Sequence, residues 1–294
     1  MTRFSAVALD LSRVGRSSLF PTLSFEQYRR ERMEYLAGLF QAVGIDYDVG
    51  ALETDPGAIL QQASAYRELL VRQGIYDAQA AVLLAFSRGA FLDRLGDQHG
   101  TARLSGEDDD RYRARIQLAP EAFSNAGTPG GYIYHVTSVS VDVRDVGLTV
   151  VNKGTRDVGV ELTILTKDGV GEPSADLLRL IRANLNRDDV RLATDNLMVR
   201  GAKIVEYDVA ATLYLRSGPD PVVIKANAAA ALAAAADRYK RVGGDVPMNA
   251  LSAALYVAGV ERVALTSPAA DVTILRFQAA HMRSVDLRVE VLRD

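Results

Sequence analysis

The sequence predicts a multidomain α+β protein: an N-terminal helical arm followed by two small mixed α/β modules. Three observations carry that expectation. Apolar residues recur at helical spacing through the first hundred positions and alternate at period two beyond residue 132. A stretch dense in charge, proline and glycine separates these two textures. The chain has 294 residues, 48% hydrophobic and 24% charged, which suits folded modules around real cores rather than disorder.

Taken in order, residues 1–22 read as an extended tail. They hold no sustained apolar period, and Arg16, Ser17, Ser18 and Pro21 favour open backbone that orders against a neighbour. The arm spans residues 23–104. Ser24 can cap a helix whose packing face is Phe25, Tyr28, Met33, Leu36 and Phe40, with Arg29, Arg30, Glu31 and Arg32 opposite and Gly44 as its stop. Asp55 can accept from the free N–H groups of a second helix, and Pro56 suits a first turn, where its missing N–H costs nothing. Ile59, Ala63, Tyr66, Leu70, Ala80 and Leu83 then recur near every ~3.5 residues, the spacing of a bundle seam. The spacing predicts one helix of roughly 30 residues reaching Ser87, against a usual length of about 12. Gly74 in its interior costs about 1 kcal/mol relative to alanine. A narrow seam on so long a helix packs against other helices, either the first helix or those of another chain.

Residues 105–131 read as a connector. The acidic run Glu107 to Asp110 is answered by Arg111, Arg113 and Arg115, and Pro120, Gly127, Pro129, Gly130 and Gly131 follow. Gly127, Pro129, Gly130 and Gly131 are the expected turn and hinge. A middle α+β domain is expected over residues 132–218. Strands fall at 136–145 and 157–166, a helix at 174–186 with Leu177, Leu178, Ile181 and Leu185 inward, and strands at 198–201 and 204–215. A smaller α/β domain is expected over residues 219–294. An alanine-dominated helix runs from Val222 to Arg241 and ends at Gly243 and Gly244; a short helix (247–257) and strands at 260–265, 272–274 and 285–291 complete it.

Composition excludes several function classes. The net charge of −3 offers no bulk positive field for nucleic acid or an anionic membrane, and the arginines at 111, 113 and 115 are cancelled by adjacent acids. With no cysteine, disulfides and thiolate metal sites are absent, as in proteins folded in a reducing cytoplasm. Met1 to Ser5 lack the start of a signal peptide, and the longest apolar run, Ala228 to Ala236, is far short of the ~20 residues that span a bilayer.

No motif for chemistry stands out either. Gly127, Gly130 and Gly131 lack the lysine of a phosphate loop, and prolines remove N–H donors there. Asp108, Asp109 and Asp110 are consecutive rather than alternating around a glycine, so a solvated charge cluster or an ion-pair patch at an interface is favoured over calcium. His99, His135 and His281 have no spacing that sets two on one helix face; His135, beside Tyr132 and Tyr134, is the one expected to form a structural hydrogen bond. No Gly-x-Ser-x-Gly elbow occurs, and unpatterned acids give no glycosidase pair. No catalytic, cofactor or metal site is therefore expected.

Residues 53–135 taken as a run resemble the baseplate assembly protein J family of contractile-tailed phages and R-type bacteriocins. The resemblance rests on Asp55-Pro56, Ala65-Tyr66-Arg67-Glu68-Leu69-Leu70, Gly89-Ala-Phe-Leu-Asp-Arg-Leu95, Gly100-Thr-Ala-Arg-Leu104 and Arg111-Tyr-Arg-Ala-Arg-Ile116. Ala119-Pro-Glu-Ala122 and the aromatic Tyr132, Tyr134 and His135 extend it, and it continues more weakly through Gly154, Pro173-Ser174, Asp189, Asp195 and Val257-Ala-Gly-Val260. Thr128-Pro129 departs from the pattern.

The resemblance implies a structural part. Two J-type subunits and one tail protein I-like subunit form a wedge through a common bundle of N-terminal helices. Six wedges ring the hub and spike proteins, neighbouring wedges meet through the C-terminal part, and a small lysozyme-like wedge protein clamps the bundle. Expected partners are thus the I-like subunit, a second copy of the chain, the lysozyme-like protein, hub and spike proteins and neighbouring wedges, with no nucleic acid and no membrane. The expected location is the tail baseplate of a virion, assembled in the bacterial host cytoplasm. Two other readings compete: a cytoplasmic helical adaptor, which would form a defined complex alone, and a tail-tip glycan-degrading enzyme, which would need convergent acids in a cleft.

Overall fold

The computed structural model describes residues 11, 20–46, 54–124, 127–156, 158–192, 195–216, 218 and 220–292. The tail expected over residues 1–22 therefore lies almost wholly outside the described residues. The chain divides into a helical unit, running through Arg103 with Asp109–Arg113 added, and an α+β unit of Leu104–Asp108 and everything from Ala114 onward.

In the helical unit, capping side chains fix where the helices begin. Ser24 accepts from Gln27 N–H at the head of α1 (Phe25–Ala42), and Asp55 accepts from Ala58 N–H at the head of α2 (Pro56–Ala81). Helix α2 ends short of Ser87. The Leu83 carbonyl takes the N–H groups of Phe86 and Ser87, and the Arg113 guanidinium donates to the carbonyls of Leu84 and Ser87, both at 2.8 Å. Those carbonyls are thereby satisfied in a tight turn rather than in further helix. Helix α3 (Gly89–Gln98) follows, and the first turn of α4 (Asp109–Ala122) belongs to this unit.

The α+β unit begins with the rest of α4 and α5 (Pro129–Thr137). The strand expected from residue 136 is displaced: Thr128 accepts from Gly131 N–H at 3.1 Å and Pro129 occupies the first turn, so residues 129–137 are helical. Strand β1 (Val143–Val151) pairs antiparallel with β2 (Gly159–Thr166), and β2 pairs parallel with β3 (Leu197–Gly201) across helix α6 (Ala175–Leu185). Leu162 and Ile164 of the sheet meet Val136 of α5 and Ile181 and Leu185 of α6 in one core.

A second sheet has the order β5-β4-β6, with β4 (Lys203–Leu215) antiparallel to β5 (Val260–Ser267) and parallel to β6 (Gln278–Val291). Helices α7 (Pro221–Tyr239) and α8 (Met248–Leu255) supply Ala228, Leu232, Leu251 and Leu255 to its core. Alanines on α7 let it lie close to the strands. The sheets part at Ala202, not near residue 218: β4 alternates as expected but joins the C-terminal strands. Residues 272–274 give only a bridge at Val272, and the last strand begins at Gln278 rather than 285. Leu165, Ala202, Val242 and Ala279 form a small cluster between the two sheets.

Candidate partner interface

Helices α1 and α2 pack antiparallel. The Arg72 guanidinium lies 4.8 Å from the Tyr28 ring centroid, and Arg32 donates to Glu68, so numbers fall along one helix as they rise along the other. Phe25, Tyr28, Met33, Leu36 and Phe40 are buried or half-buried on α1, as their spacing predicts. The facing residues of α2 are small: Ala58 and Ala65 are fully enclosed. Arg32 and Arg72 hydrogen-bond the Glu68 carboxylate from both helices and hold it below the usual carboxylate range.

Helix α2 has two more apolar lines. Ile59, Tyr66 and Leu70 are 51%, 54% and 45% exposed, with Ala63 exposed between them. Leu60, Val71 and Ile75 are 68%, 59% and 49% exposed. At about 100° per residue, the α1-facing line and these two lines lie about 120° apart, so α2 carries apolar residues on three sides, with Arg67, Glu68 and Arg72 between them. An apolar stripe on a helix is ordinarily covered by a neighbour, and two of these three are not. The second line also borders a groove of about 670 Å³ that Arg32, Arg67 and Tyr76 complete.

Four of the six seam residues expected from sequence, Ile59, Ala63, Tyr66 and Leu70, thus share one exposed face. Ala80 does not: it is 5% exposed, enclosed by its own chain. A period of ~3.5 residues drifts about 20° per heptad on a straight helix, so three heptads beyond Ile59 the line has turned some 60° back toward α1. Leu83 is exposed but lies in the turn beyond the helix end. The second line, Leu60, Val71 and Ile75, is missed by a search for a single seam. Counting apolar residues on every face of the helix would have found it.

The expected turn and hinge residues sit inside the α+β unit. Gly127 keeps a left-handed φ of +60°, but Gly130 and Gly131 are buried in the first turn of α5. Gly130 N–H donates to the Glu121 carboxylate at 3.0 Å, and a Cβ on Gly130 would stand 2.2 Å from that carboxylate. The glycines admit a close approach between α4 and α5 rather than a chain reversal.

The charged run is absorbed into structure. Asp109 pairs with Arg103 at 2.7 Å and accepts from Gly89 N–H, while Asp110 pairs with Arg113 at 2.6 Å. Tyr112 is fully buried, its hydroxyl donating to the Thr101 carbonyl at 2.6 Å and its ring under Arg103. Arg115 grips the Glu107 carboxylate at 2.8 and 2.7 Å and donates to Ser138, the pair's side chains being 4% and 0% exposed. Glu107 in turn accepts from Leu104 N–H. His135 lies edge-on to Tyr134, its carbonyl accepts from Asn184, and burial together with nearby Arg187 lowers its imidazole pKa. Tyr132 donates to Asp195, and burial followed by that carboxylate pushes its hydroxyl pKa up. These polar groups are held by partners in roles that position backbone. Among the described residues no cluster of acids and histidines could hold a metal, and no helix is long and apolar enough to cross a membrane.

Comparison with known proteins bears on this geometry. Residues 53–110, which hold α2, α3 and the Arg103–Asp109 pair, match the Baseplate J-like N-terminal domain. Residues 207–288, which hold most of the second sheet with α7 and α8, match the Baseplate J-like protein C-terminal domain. The chain is 36% identical over 290 residues to Baseplate protein J of Escherichia phage P2, covering 92% of this chain and 94% of that protein.

Proposed function

The chain belongs to the baseplate J family, and from that premise we propose that it builds the wedge of a contractile tail's baseplate, within the structural role in a phage baseplate that its kinship supports. In this reading two copies join one tail protein I-like subunit through a shared helical bundle, and a lysozyme-like wedge protein clamps it. Wedges close into a ring around the hub and spike after assembly in the host cytoplasm. The observation that carries the reading is helix α2, whose Ile59–Tyr66–Leu70 and Leu60–Val71–Ile75 lines are covered by no described helix of its own chain. Two open lines accommodate two foreign helices, and burying what remains exposed of their large apolar side chains, about half of each, supplies about 1 kcal/mol apiece.

Co-expression of the chain with a tail protein I-like subunit tests this, with the product sized in solution. A stoichiometric complex larger than either chain is expected. Replacing Tyr66 and Leu70 with serine should abolish that complex, while the chain alone, in which each is about half exposed, should lose only about 1–2 kcal/mol and stay folded. A chain that stays monodisperse and alone in that co-expression, or a complex indifferent to the double substitution, overturns the reading.

A further inference from the structure

Strand β6 lies at the edge of its sheet, with β4 on one side. Its other side is covered only at the start, where Val242 bridges Ala279 and Gly243 N–H donates to the Gln278 carbonyl. From His281 to Val291 no described strand pairs with that side. Eleven residues of open edge, about 36 Å at ~3.3 Å per residue, form a template for another strand.

The geometry of this edge is specific. Leu292 N–H donates to the Leu215 carbonyl of β4 at 2.8 Å. By the alternation of a strand, Ser284, Asp286, Arg288 and Glu290 turn their backbone groups toward β4. Val285, Leu287, Val289 and Val291 therefore turn their N–H and C=O groups to the open side. The side chains alternate as well. Leu287 is buried and Val289 packs on the core, whereas Asp286, Arg288 and Glu290 are exposed on the other face in the order negative, positive, negative.

We propose that the open edge of β6 pairs antiparallel with the same edge of a second copy of this chain, on a two-fold axis through Leu287. That register sets Leu287 opposite Leu287 and Val285 opposite Val289, the residues whose backbone groups face outward. It also sets Asp286 opposite Arg288 of the second copy, twice by symmetry, and Ser284 opposite Glu290. Centring on Asp286 or Arg288 instead puts like charges face to face, which is destabilising across strands. Centring on Val289 would pair Arg288 with Glu290 but shortens the overlap, since β6 ends at Val291. Centring on Val285 keeps the same overlap but sets Asp286 opposite Ser284 and forfeits both charge pairs. Charge order, edge polarity and strand length together thus favour the Leu287 register, a self-complementary contact of the kind that two-fold assemblies use. The inference deepens the wedge reading by naming the surface through which one copy reaches another. It rests on that reading only for the presence of several copies in one particle. A single strand pair is a small interface, so association of the isolated chain should be weak and strengthened when copies are held side by side in a ring.

The chain has no cysteine, so cross-linking is clean. Full-length Ser284→Cys and Glu290→Cys variants, both at exposed positions, are mixed at high concentration under mild oxidant. The mixture should yield a disulfide-linked dimer that neither variant yields alone. Adding Asp286→Arg to both chains should cut the yield about tenfold or more, since two cross-strand attractions become repulsions. Adding Arg288→Asp as well should restore it. A mixture that cross-links no better than its components, or a yield indifferent to single and double charge reversal, overturns the proposal. Because these variants leave α2 untouched, failure here with an intact complex in the co-expression experiment separates this inference from the wedge reading.

Discussion

The two units of this chain solve the problem of stability in opposite ways. The α+β unit builds apolar cores: Leu162, Ile164, Ile181, Leu213, Leu232 and Leu251 are enclosed completely, and the clusters on its two sheets meet at Leu165, Ala202, Val242 and Ala279. The helical unit has no comparable cluster among the described residues. Among its described residues, those buried and apolar are Tyr28, Ala58, Ala65, Ala80, Leu92 and Tyr112, half of them alanines, while thirteen large apolar side chains from Tyr35 to Phe91 are exposed. The α+β unit exposes the same number over a stretch about twice as long. What holds the helical unit together is largely polar: the Arg32–Glu68–Arg72 triad, Tyr112 on the Thr101 carbonyl, and Arg103 and Arg113 on acids and carbonyls. Hydrogen bonds and ion pairs fix geometry but contribute only about 1 kcal/mol each in net stability. One unit is thus built on apolar cores of its own, and the other leaves large apolar side chains of its described helices uncovered.

The contrast can be broken most forcefully at the buried Arg115–Glu107 ion pair of the α+β unit. Removing Arg115 would leave the Glu107 carboxylate enclosed without its partner, at a cost of about 3–5 kcal/mol. Arg115→Ala should therefore lower the melting transition of the α+β unit by roughly 10 °C in calorimetry, at 2–4 °C per kcal/mol for a unit this size. The paired replacement Arg115→Met with Glu107→Leu should recover most of that loss, because an apolar pair needs no mutual compensation. A transition unmoved by Arg115→Ala would mean that the pair does not hold the Leu104–Asp108 segment in place.

A smaller effect is expected at Gly96 in the helical unit. A Cβ there would stand 1.7 Å from the Tyr112 hydroxyl and 2.6 Å from the Thr101 carbonyl, and the buried tyrosine has nowhere to move. Overpacking of this kind costs about 1–3 kcal/mol, partly offset by the ~1 kcal/mol that alanine gains over glycine in a helix. Gly74 is the control: nothing lies within 4 Å of its Cβ position, so Gly74→Ala should gain what Gly96→Ala loses. Amide hydrogen exchange across α2 and α3 measures both. Equal outcomes at the two glycines would show that α3 is not seated on Tyr112.

Much of this contrast was legible in the sequence, unevenly. Caps at Ser24 and Asp55, the packing face of α1 and the alternation of β2 and β4 all follow from local chemistry, which acts within a few residues. The shared exposed face of Ile59, Ala63, Tyr66 and Leu70 on α2 was legible because four residues span little more than three turns. It was lost at Ala80, where drift accumulates. What could not be read locally was pairing at a distance. Strand β4 alternates identically whichever sheet it joins, and only the closure of β5 and β6 around it decides. The glycines at 130 and 131 looked like a turn because nothing in their neighbourhood reveals that Glu121 lies against them. Charge order pointed to ion pairs between the acidic run and Arg113 and Arg115, but neither the burial of the Glu107–Arg115 pair nor the capture of the Leu84 and Ser87 carbonyls by Arg113 is visible without the fold.

The mildest test concerns the polar support of α1 on α2. Hydrogen bonds from Arg32 and then Arg72 hold Glu68 below its ordinary pKa of 4.5. A carboxylate depressed in the folded state stabilises that state fully above its unfolded value, and the contribution is lost as pH falls through the folded value. The helical unit should accordingly lose stability on acidification below about pH 4.5, by about 1 kcal/mol or less, the scale of a partly exposed ion pair. Glu68→Gln should remove that portion of the pH dependence while leaving the rest of the acid transition in place, and added salt should shrink the difference between parent and variant. Exchange rates of the α1 amides, followed from neutral pH down to the onset of acid unfolding, give the readout. Parallel profiles for parent and variant would mean that Tyr28 and the alanines of α2 hold the helix pair without help from charge. The polar account of the helical unit would then give way to one in which even its internal contact is apolar.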